Sequence, residues 1–377
     1  MTPRTRRFLL QIIPFGVLWA IFGLIYALIE KGILGDSTHY PSTGNPYDFS
    51  SGLISGLILA TCTGLMIGAF EVRYLNRFFA RQSFGVKIAC KALVYLAIIT
   101  VFLAVVSTVN NVQKFDSSLA DPVVWTTTWT FLSSFAFWSV ALFIAALMVI
   151  ALFYSDIGDN LGQGVLHNYL IGKYHRPVEE ERIFLFLDMK SSTTIAEQLG
   201  HIRYFEMLKA YYADLSDPII DHAGEIYQYV GDEIVVSWSL DAGLRDNNCI
   251  RCFFAMRAAL ARQAHTYQRA YGIVPTFKAA LHCGNVTTGE IGVIKKDIIF
   301  TGDVLNTTAR IQGLCNALGV DNLVSEQLAS RLGPDPSFRR RALGQHALRG
   351  RDEQVELHTL APPLQGPGAP LRNPPDA

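Results

Sequence analysis

Two carboxylates follow a glycine in the segment EIYQYVGDEIVVSW, residues 225–238. The flanking runs are apolar and aromatic like strands, which places Gly231-Asp232-Glu233 in the tight turn between them. Alone, this pattern is most often a solvated hairpin turn, because Gly-Asp is ordinary turn chemistry. A further acid, Asp188, ends the earlier apolar run RIFLFLD. Two buried carboxylates repel each other unless a cation neutralises them, and Mg²⁺ or Mn²⁺ suits hard oxygen ligands.

The residues after Asp188 add a phosphate-binding element to the acidic pair. They lead into a helix, whose first backbone N–H groups are free to bind phosphate. This loop follows Met189 and consists of Lys190, Ser191, Ser192 and Thr193. Acids, a divalent cation and a phosphate-binding loop together predict a two-metal phosphoryl-transfer site.

Strand and helix signals alternate through the part of the chain that carries these residues. Residues 182–188 are typical of a buried strand, residues 191–223 have helical spacing, and the hairpin 225–238 follows. A helix from about residue 247 and a strand at 277–282 come next. This order predicts an α+β domain of the ferredoxin-like βαββαβ type, in which the first strand lies beside the hairpin.

Four blocks in this region resemble the class III nucleotidyl cyclases, which convert ATP or GTP into a 3′,5′-cyclic nucleotide and pyrophosphate. The blocks are FLFLDMKSST, EIYQYVGDEIVVSW, GNVTTGEIG and TGDVLNTTARIQ. The resemblance implies a membrane-anchored bacterial adenylate cyclase with its catalytic domain at residues 178–360. It also implies that Asp188, Asp232 and the Met189 backbone carbonyl hold two Mg²⁺ or Mn²⁺ ions per active site.

Further positions of the family's motif imply substrate contacts. Asn306 and Arg310 match a pair that orients the ribose and stabilises charge on the α-phosphate, and their spacing puts both on one helix face. Arg349 replaces a lysine that grips the terminal phosphates and keeps its charge. The base-reading positions hold Gln228 and Ile299 in place of the usual lysine and aspartate or threonine. The Gln228 amide can hydrogen-bond a purine, whereas Ile299 cannot. Because this amide can meet the donor–acceptor edge of adenine, adenine is the expected base, while guanine stays open.

The resemblance implies a homodimer with two composite sites, since each motif occurs once and the family's metal acids face the Asn/Arg pair of a second chain. The implied reaction is in-line attack of the ribose 3′-oxygen of ATP on the α-phosphate, aided by one metal while the other steadies the pyrophosphate. Alternatives are a guanylate or non-selective cyclase, a catalytically dead nucleotide-binding receptor, and a channel or transporter. A diguanylate cyclase would need a second glycine where Val230 stands.

The first 155 residues carry most of the apolar excess of a chain that is 50% hydrophobic, with no net charge and a mean hydropathy of +0.25. Runs near the roughly 20 residues that span a bilayer predict four transmembrane helices, at 8–29, 52–70, 88–106 and 127–154. Lysine and arginine distribution places both termini and the catalytic domain in the cytosol, at the inner membrane. Lys91 is expected to extend to the cytoplasmic surface, and no other ionisable group is expected deep in a span, which disfavours a transporter.

The predicted organisation is a membrane domain at 1–155, a coupling linker at 156–177, the catalytic domain at 178–360 and a disordered Pro-rich tail at 361–377. Expected partners are ATP, a second copy of the chain and the lipid bilayer, with no nucleic acid and an unidentified upstream signal at the membrane domain. Cys249 and Cys252 have redox-motif spacing, but we interpret them as small apolar residues on one helix face.

Overall fold

The computed structural model describes residues 1–40, 47–79, 82–161, 163–350 and 354–362. It divides into two compact units: residues 5–167, and residues 168 onward together with the first four residues. The predicted domain boundaries stay predictions, and nearly all of the tail at 361–377 lies outside the described residues.

The N-terminal part of the described chain is helical. Its helices are α1 (Pro3–Leu34), α2 (Phe49–Phe70), α3 (Asn76–Phe78), α4 (Phe84–Phe115), α5 (Pro122–Ser133), α6 (Phe135–Leu161) and α7 (Gln163–Leu170). Four segments are long and apolar enough to cross a membrane: Pro3–Leu34, Phe49–Leu75, Phe84–Phe115 and Phe135–Asn160. The four predicted apolar helices are thus confirmed, although the last begins later than predicted because Ser134 leaves helical geometry with ψ 151°.

Two glycines let α1 and α2 pack closely. A Cβ at Gly64 would lie 2.7 Å from both the Phe15 carbonyl oxygen and the Trp19 side chain. A Cβ at Gly68 would lie 3.0 Å from the Phe15 ring. Small residues four apart on one helix face are a common device for close packing of apolar helices.

A π-helical turn, Glu71–Leu75, joins α2 to α3 and takes part in a buried polar cluster. The Lys91 ammonium contacts the Glu71 carboxylate and donates to Asn76 Oδ1 at 2.6 Å, and the Tyr95 hydroxyl donates to Glu71 Oε2 at 3.0 Å. Lys91 is only 2% exposed. Its expected extension to the surface is wrong, because the helix continues beyond residue 70 and places an acid beside it. Glu71 and Asp156 are two further buried ionisable groups of the helical unit, which the sequence reasoning did not expect.

The C-terminal unit contains an eight-stranded sheet. Its strands are β1 (Val178–Met189), β2 (Glu225–Val230), β3 (Glu233–Ser239), β4 (Phe277–Ile291), β5 (Asp297–Thr301), β6 (Asn322–Ser325), β7 (Arg339–Ala347) and β8 (Gln354–Ala361). The order is β2-β3-β1-β4-β6-β8-β7, with β5 also paired to β4. The β2-β3-β1-β4 part is antiparallel and confirms the predicted ferredoxin-like core.

Helices cover both faces of β1, which explains its continuous apolar run. They are α8 (Ser192–Leu199), α9 (His201–Asp221), α10 (Leu240–Leu244), α11 (Asn248–Arg262), α12 (Ala264–Tyr271), α13 (Asp303–Gly313) and α14 (Glu326–Ala329). Leu185 packs in a core that includes residues of α9 and α11, whereas Phe184 packs on the opposite side with Val304 of α13. Cys249 and Cys252 are fully buried on α11, as their packing interpretation predicts.

Candidate active site

The acidic pair lies at the ends of neighbouring strands. Asp188 and the buried Met189 end β1, which pairs with β3, and Asp232 lies in the two-residue turn between β2 and β3. Gly231 opens this turn with φ +62°, a left-handed conformation that glycine adopts without strain. The Tyr212 hydroxyl contacts the Gly231 carbonyl oxygen and holds the turn against α9.

Three carboxylates share this corner of the sheet. Burial raises the pKa of Asp232, and a hydrogen bond from Ser192 opposes this shift. The charge of Asp188 and a hydrogen bond between Asp188 and Asp232 raise the pKa of Asp232 further. Burial also raises the pKa of Glu233, and the charges of Asp188 and Asp232 add to that shift. Asp232 Oδ2 is buried without a hydrogen-bond partner. A buried carboxylate oxygen without a partner beside two further acids fits a cation.

Lys278 is a residue of this site that the sequence reasoning missed. It lies opposite Asp188 in the β1–β4 register, and its Nζ is 3.3 Å from Asp188 Oδ2. The two side chains are only 14% and 29% exposed. A lysine inside the strand FKAALH was a usable signal, but its partner became visible only with the strand register. Lys278 therefore brings a positive charge to the acids on the side opposite the hairpin.

The predicted phosphate-binding loop is partly occupied by internal contacts. The Lys190 backbone N–H donates to Thr276 O at 2.9 Å, and the Lys190 ammonium contacts the Asp321 carboxylate. The expectation of a free N–H at Lys190 is therefore wrong, because the pairing of β1 with the segment before β4 continues through it. Ser191 has φ +56° and precedes α8.

The backbone N–H groups in the first turn of α8 remain available as hydrogen-bond donors. The backbone N–H groups of Ser192 and Thr193 are in this turn, where intrahelical partners are lacking. A cavity of about 380 Å³ opens beside the loop and is lined by Lys190, Ser191 and Lys278, among others. The structure thus brings the predicted loop and Lys278 to one concave surface.

The predicted Asn/Arg pair lies on α13. Asn306 is exposed and Arg310 is half-buried. A Cβ at Gly350 would lie 3.8 Å from Arg310 Nη2, so the guanidinium lies beside the turn that carries the exposed Arg349. Among the described residues, no hydrogen bond or ion pair joins Asn306, Arg310 or Arg349 to the acids. Two guanidinium groups without a described carboxylate partner form a site suited to anions.

The two base-reading positions flank an aromatic contact. Gln228 is exposed on β2, directly after a register irregularity, and Ile299 on β5 pairs with Gly289 on β4. Their chain neighbours touch: the Tyr227 and Phe300 ring centroids are 4.8 Å apart, and the Phe300 N–H donates to the Tyr227 hydroxyl at 3.3 Å. The structure therefore brings the two backbone positions into one neighbourhood.

Comparisons with known proteins address this domain. Residues 176–361 match the model of the adenylate and guanylate cyclase catalytic domain. Adenylate cyclase 2 of Rhizobium meliloti is 41% identical over 219 residues, which cover 58% of this chain and 60% of that protein. An adenylate cyclase of Anabaena cylindrica is 27% identical over 182 residues, covering 47% of this chain and 36% of that protein. The chain thus matches only part of these relatives' length.

A solved structure agrees at the level of the fold. A bacterial light-regulated adenylyl cyclase superposes with a TM-score of 0.51 at 20% identity, covering 60% of this chain and 66% of that one. At this identity the likeness concerns the fold alone. The family match covers the sheet in which Asp188 lies at the end of β1 and Asp232 lies in the turn between β2 and β3. Residues 176–361 of this chain therefore belong to the family of adenylate and guanylate cyclase catalytic domains.

Proposed function

We propose that the chain is a membrane-anchored adenylate cyclase that converts ATP into 3′,5′-cyclic AMP and pyrophosphate. The observation that carries this proposal is the convergence of Asp188 and Asp232, with Asp232 Oδ2 buried and without a partner. The name of the Rhizobium relative, adenylate cyclase 2, supports ATP as substrate. Guanylate cyclase activity is the second candidate, because the apolar Ile299 cannot hydrogen-bond the base at a base-reading position and so leaves the choice of purine open.

Asp188, Asp232 and the Met189 backbone carbonyl would hold two Mg²⁺ or Mn²⁺ ions. When bound, these ions supply positive charge to the phosphate oxygens and to the reacting 3′-oxygen. The carboxylates are hard oxygen ligands, and burial makes the charge of Asp232 unfavourable without a cation. The donor set present therefore fits these metals.

The remaining residues bind and orient the nucleotide. The N–H groups at the start of α8 and the Arg349 guanidinium bind phosphate oxygens, and Asn306 orients the ribose. The ribose 3′-oxygen forms a bond to the α-phosphorus, while the bond from that phosphorus to the bridging oxygen of the β-phosphate breaks. Arg310 stabilises the negative charge that builds on the α-phosphate, and pyrophosphate leaves. The 3′-hydroxyl proton passes to solvent.

The active form we propose is a homodimer in which the acids of one chain meet Asn306 and Arg310 of the other. The absence of a described contact between these two sets within one chain supports this arrangement. Mixing Asp232→Ala chains with Arg310→Ala chains is expected to restore turnover, because one of the two sites is then intact. A mixture of Asp232→Ala with Asp188→Ala is the matched control, since both defects fall in the same half-site. Equal inactivity of both mixtures would refute the composite site.

We further propose that residues 1–155 anchor the chain in the inner membrane, with both termini and residues 178–360 in the cytosol. The four apolar helices support this proposal. Residues 156–177 would couple the two parts. Protease digestion of right-side-out and inverted vesicles that contain the full chain tests the sidedness. The catalytic domain should be digested only in the inverted vesicles.

Turnover by the purified full-length protein tests the proposed reaction. ATP and GTP are compared in Mg²⁺ and in Mn²⁺, with the cyclic product identified by mass and Asp232→Asn as the inactive control. Cyclic AMP in excess supports the proposal, and cyclic GMP in excess replaces the substrate but keeps the mechanism. A folded dimer that binds nucleotide and forms neither product would be a nucleotide-binding receptor.

A further inference from the structure

A second group of metal-ligating side chains lies apart from the acids of the proposed active site. Glu326 begins α14, and Glu356 and His358 lie two residues apart on β8, so both side chains point to the same face of that strand. One ligand atom from each of the three residues lies within 4.8 Å of the others.

The His358 imidazole shows that this group is more than a set of surface acids. His358 is only 4% exposed, yet neither of its ring nitrogens has a hydrogen-bond partner. Its Nε2 contacts Glu326 Oε2 without the alignment of a hydrogen bond, and that carboxylate oxygen is also buried and without a hydrogen-bond partner. Nε2 lies 3.9 Å from Glu356 Oε1. Two carboxylate oxygens therefore converge on one unsatisfied buried nitrogen.

We propose that Glu326, Glu356 and His358 form a binding site for a divalent transition ion, with Zn²⁺ as the ion that the donors fit best. One imidazole nitrogen and two carboxylate oxygens are a donor set that suits Zn²⁺, whereas Mg²⁺ and Ca²⁺ favour oxygen ligands alone. A neutral His358 offers a lone pair at Nε2, and the two carboxylates balance the charge of the ion.

The distances allow an ion to enter with small side-chain movements. Ligand bonds of about 2.0–2.2 Å keep any two ligand atoms of one zinc ion within about 4.4 Å of each other. The Glu356 side chain is 41% exposed and can rotate toward Nε2 to close the remaining gap. An inserted ion would separate Glu326 from His358 and replace their direct contact with two metal bonds. The nearby Arg340 Nη1, 3.8 Å from Glu326 Oε2, belongs to a side chain 46% exposed that can move away.

An entry path is present. Glu326 and Glu356 line a cavity of about 400 Å³, together with His282 and Asp303. A hydrated ion can reach the two carboxylates through this cavity before it meets the buried imidazole. The bound ion would link α14 to β8, which follows the connection that carries Arg349.

Zinc binding by the full-length protein in detergent tests the proposal. The measurement is equilibrium dialysis with Zn²⁺ alone as probe, in excess Mg²⁺ and in an Asp232→Asn background, so that the acids of the proposed active site do not contribute. We expect one Zn²⁺ per chain. His358→Gln and Glu356→Gln should each weaken binding at least about tenfold, since each removes a ligand. His265→Gln, which removes an exposed histidine of α12, should leave binding unchanged.

A second readout uses stability. Zn²⁺ at about a hundred times its dissociation constant should raise the Tm of the Asp232→Asn protein by roughly 5 °C, and this shift should vanish with Glu356→Gln. Glu356 is partly exposed, so its substitution preserves the fold and keeps the test decisive if His358→Gln fails to fold. Zn²⁺ binding that is absent, or unchanged by Glu356→Gln, would leave His358 and Glu326 as an ion pair only and overturn the proposal.

Discussion

Removing the charge of Lys91 should destabilise the helical unit severely. The Lys91 and Glu71 side chains are 2% and 1% exposed, so Lys91→Met would leave a buried carboxylate whose one remaining partner among the described residues is the Tyr95 hydroxyl. Loss of one member of a buried ion pair costs about 3–5 kcal/mol. We expect a decrease of about 3 kcal/mol in the free energy of unfolding. SDS titration of the full-length protein in mixed micelles, followed by helical circular dichroism, measures it.

A double-mutant cycle distinguishes the interaction between the Lys91 and Glu71 charges from a simple loss of side-chain packing. Glu71→Gln alone should cost a similar amount, whereas Glu71→Gln with Lys91→Met should cost less than the sum by about 2 kcal/mol, since neither charge is then left alone. Lys31→Met is the matched control, because the Lys31 side chain is 40% exposed and its Nζ lies 3.8 Å from the exposed Asp36; it should cost less than about 0.5 kcal/mol. A coupling energy near zero would refute the buried pair.

Gly231→Ala places an L-residue at φ +62° and should cost about 1 kcal/mol of unfolding free energy, measured by urea titration; no change would contradict the turn geometry. Gln228→Lys with Ile299→Asp should raise the ratio of cyclic AMP to cyclic GMP at least about tenfold in a mixed ATP and GTP assay, because both side chains then hydrogen-bond adenine. An unchanged ratio would contradict the base-reading assignment. Iodoacetamide at about pH 8 should modify the buried thiols only after denaturation. Burial raises the thiol pKa to about 12 in Cys249 and Cys315 and to about 11 in Cys283, so the reactive thiolate is scarce below those values. Mass spectrometry of the treated native protein would detect a thiol that contradicts this expectation.

The position of the acidic pair was predictable because it depends on local signals. An apolar run that ends in Asp188 and a Gly-Asp turn between two strands place both acids at strand ends, and the ferredoxin-like order makes those strands neighbours. The four apolar runs that predict the long helices were equally local signals. Helix continuation at Glu71 was harder to predict, since one acid after an apolar run is also the normal sign of a helix leaving the membrane.

Contacts between distant segments were not predictable. Lys278 meets Asp188 only through the β1–β4 register, and Lys190 meets Asp321 across 131 residues of chain. Likewise, Glu326 and His358 come together because β6 and β8 pair, and no periodicity in the sequence announces that pairing. Strand register and loop conformation decide these contacts, and a single sequence carries little information about either.

The π-helical turn at Glu71–Leu75 has a consequence for how this segment can change through evolution. Its Asn76 N–H donates to Glu71 O, five residues back, so the turn holds one residue more than an α-helix would. A single-residue deletion there would therefore restore an α-helical turn and keep the two halves of the helix near their present phase. The Gly64 and Gly68 face toward α1 and the Asn76 contact with Lys91 could then still form together. A deletion inside α2 itself would instead rotate the flanking halves by about 100° relative to each other. We therefore expect deletions in the π-helical turn to be tolerated better than deletions inside α2, because only the turn holds a residue that the helix can lose without a change of phase.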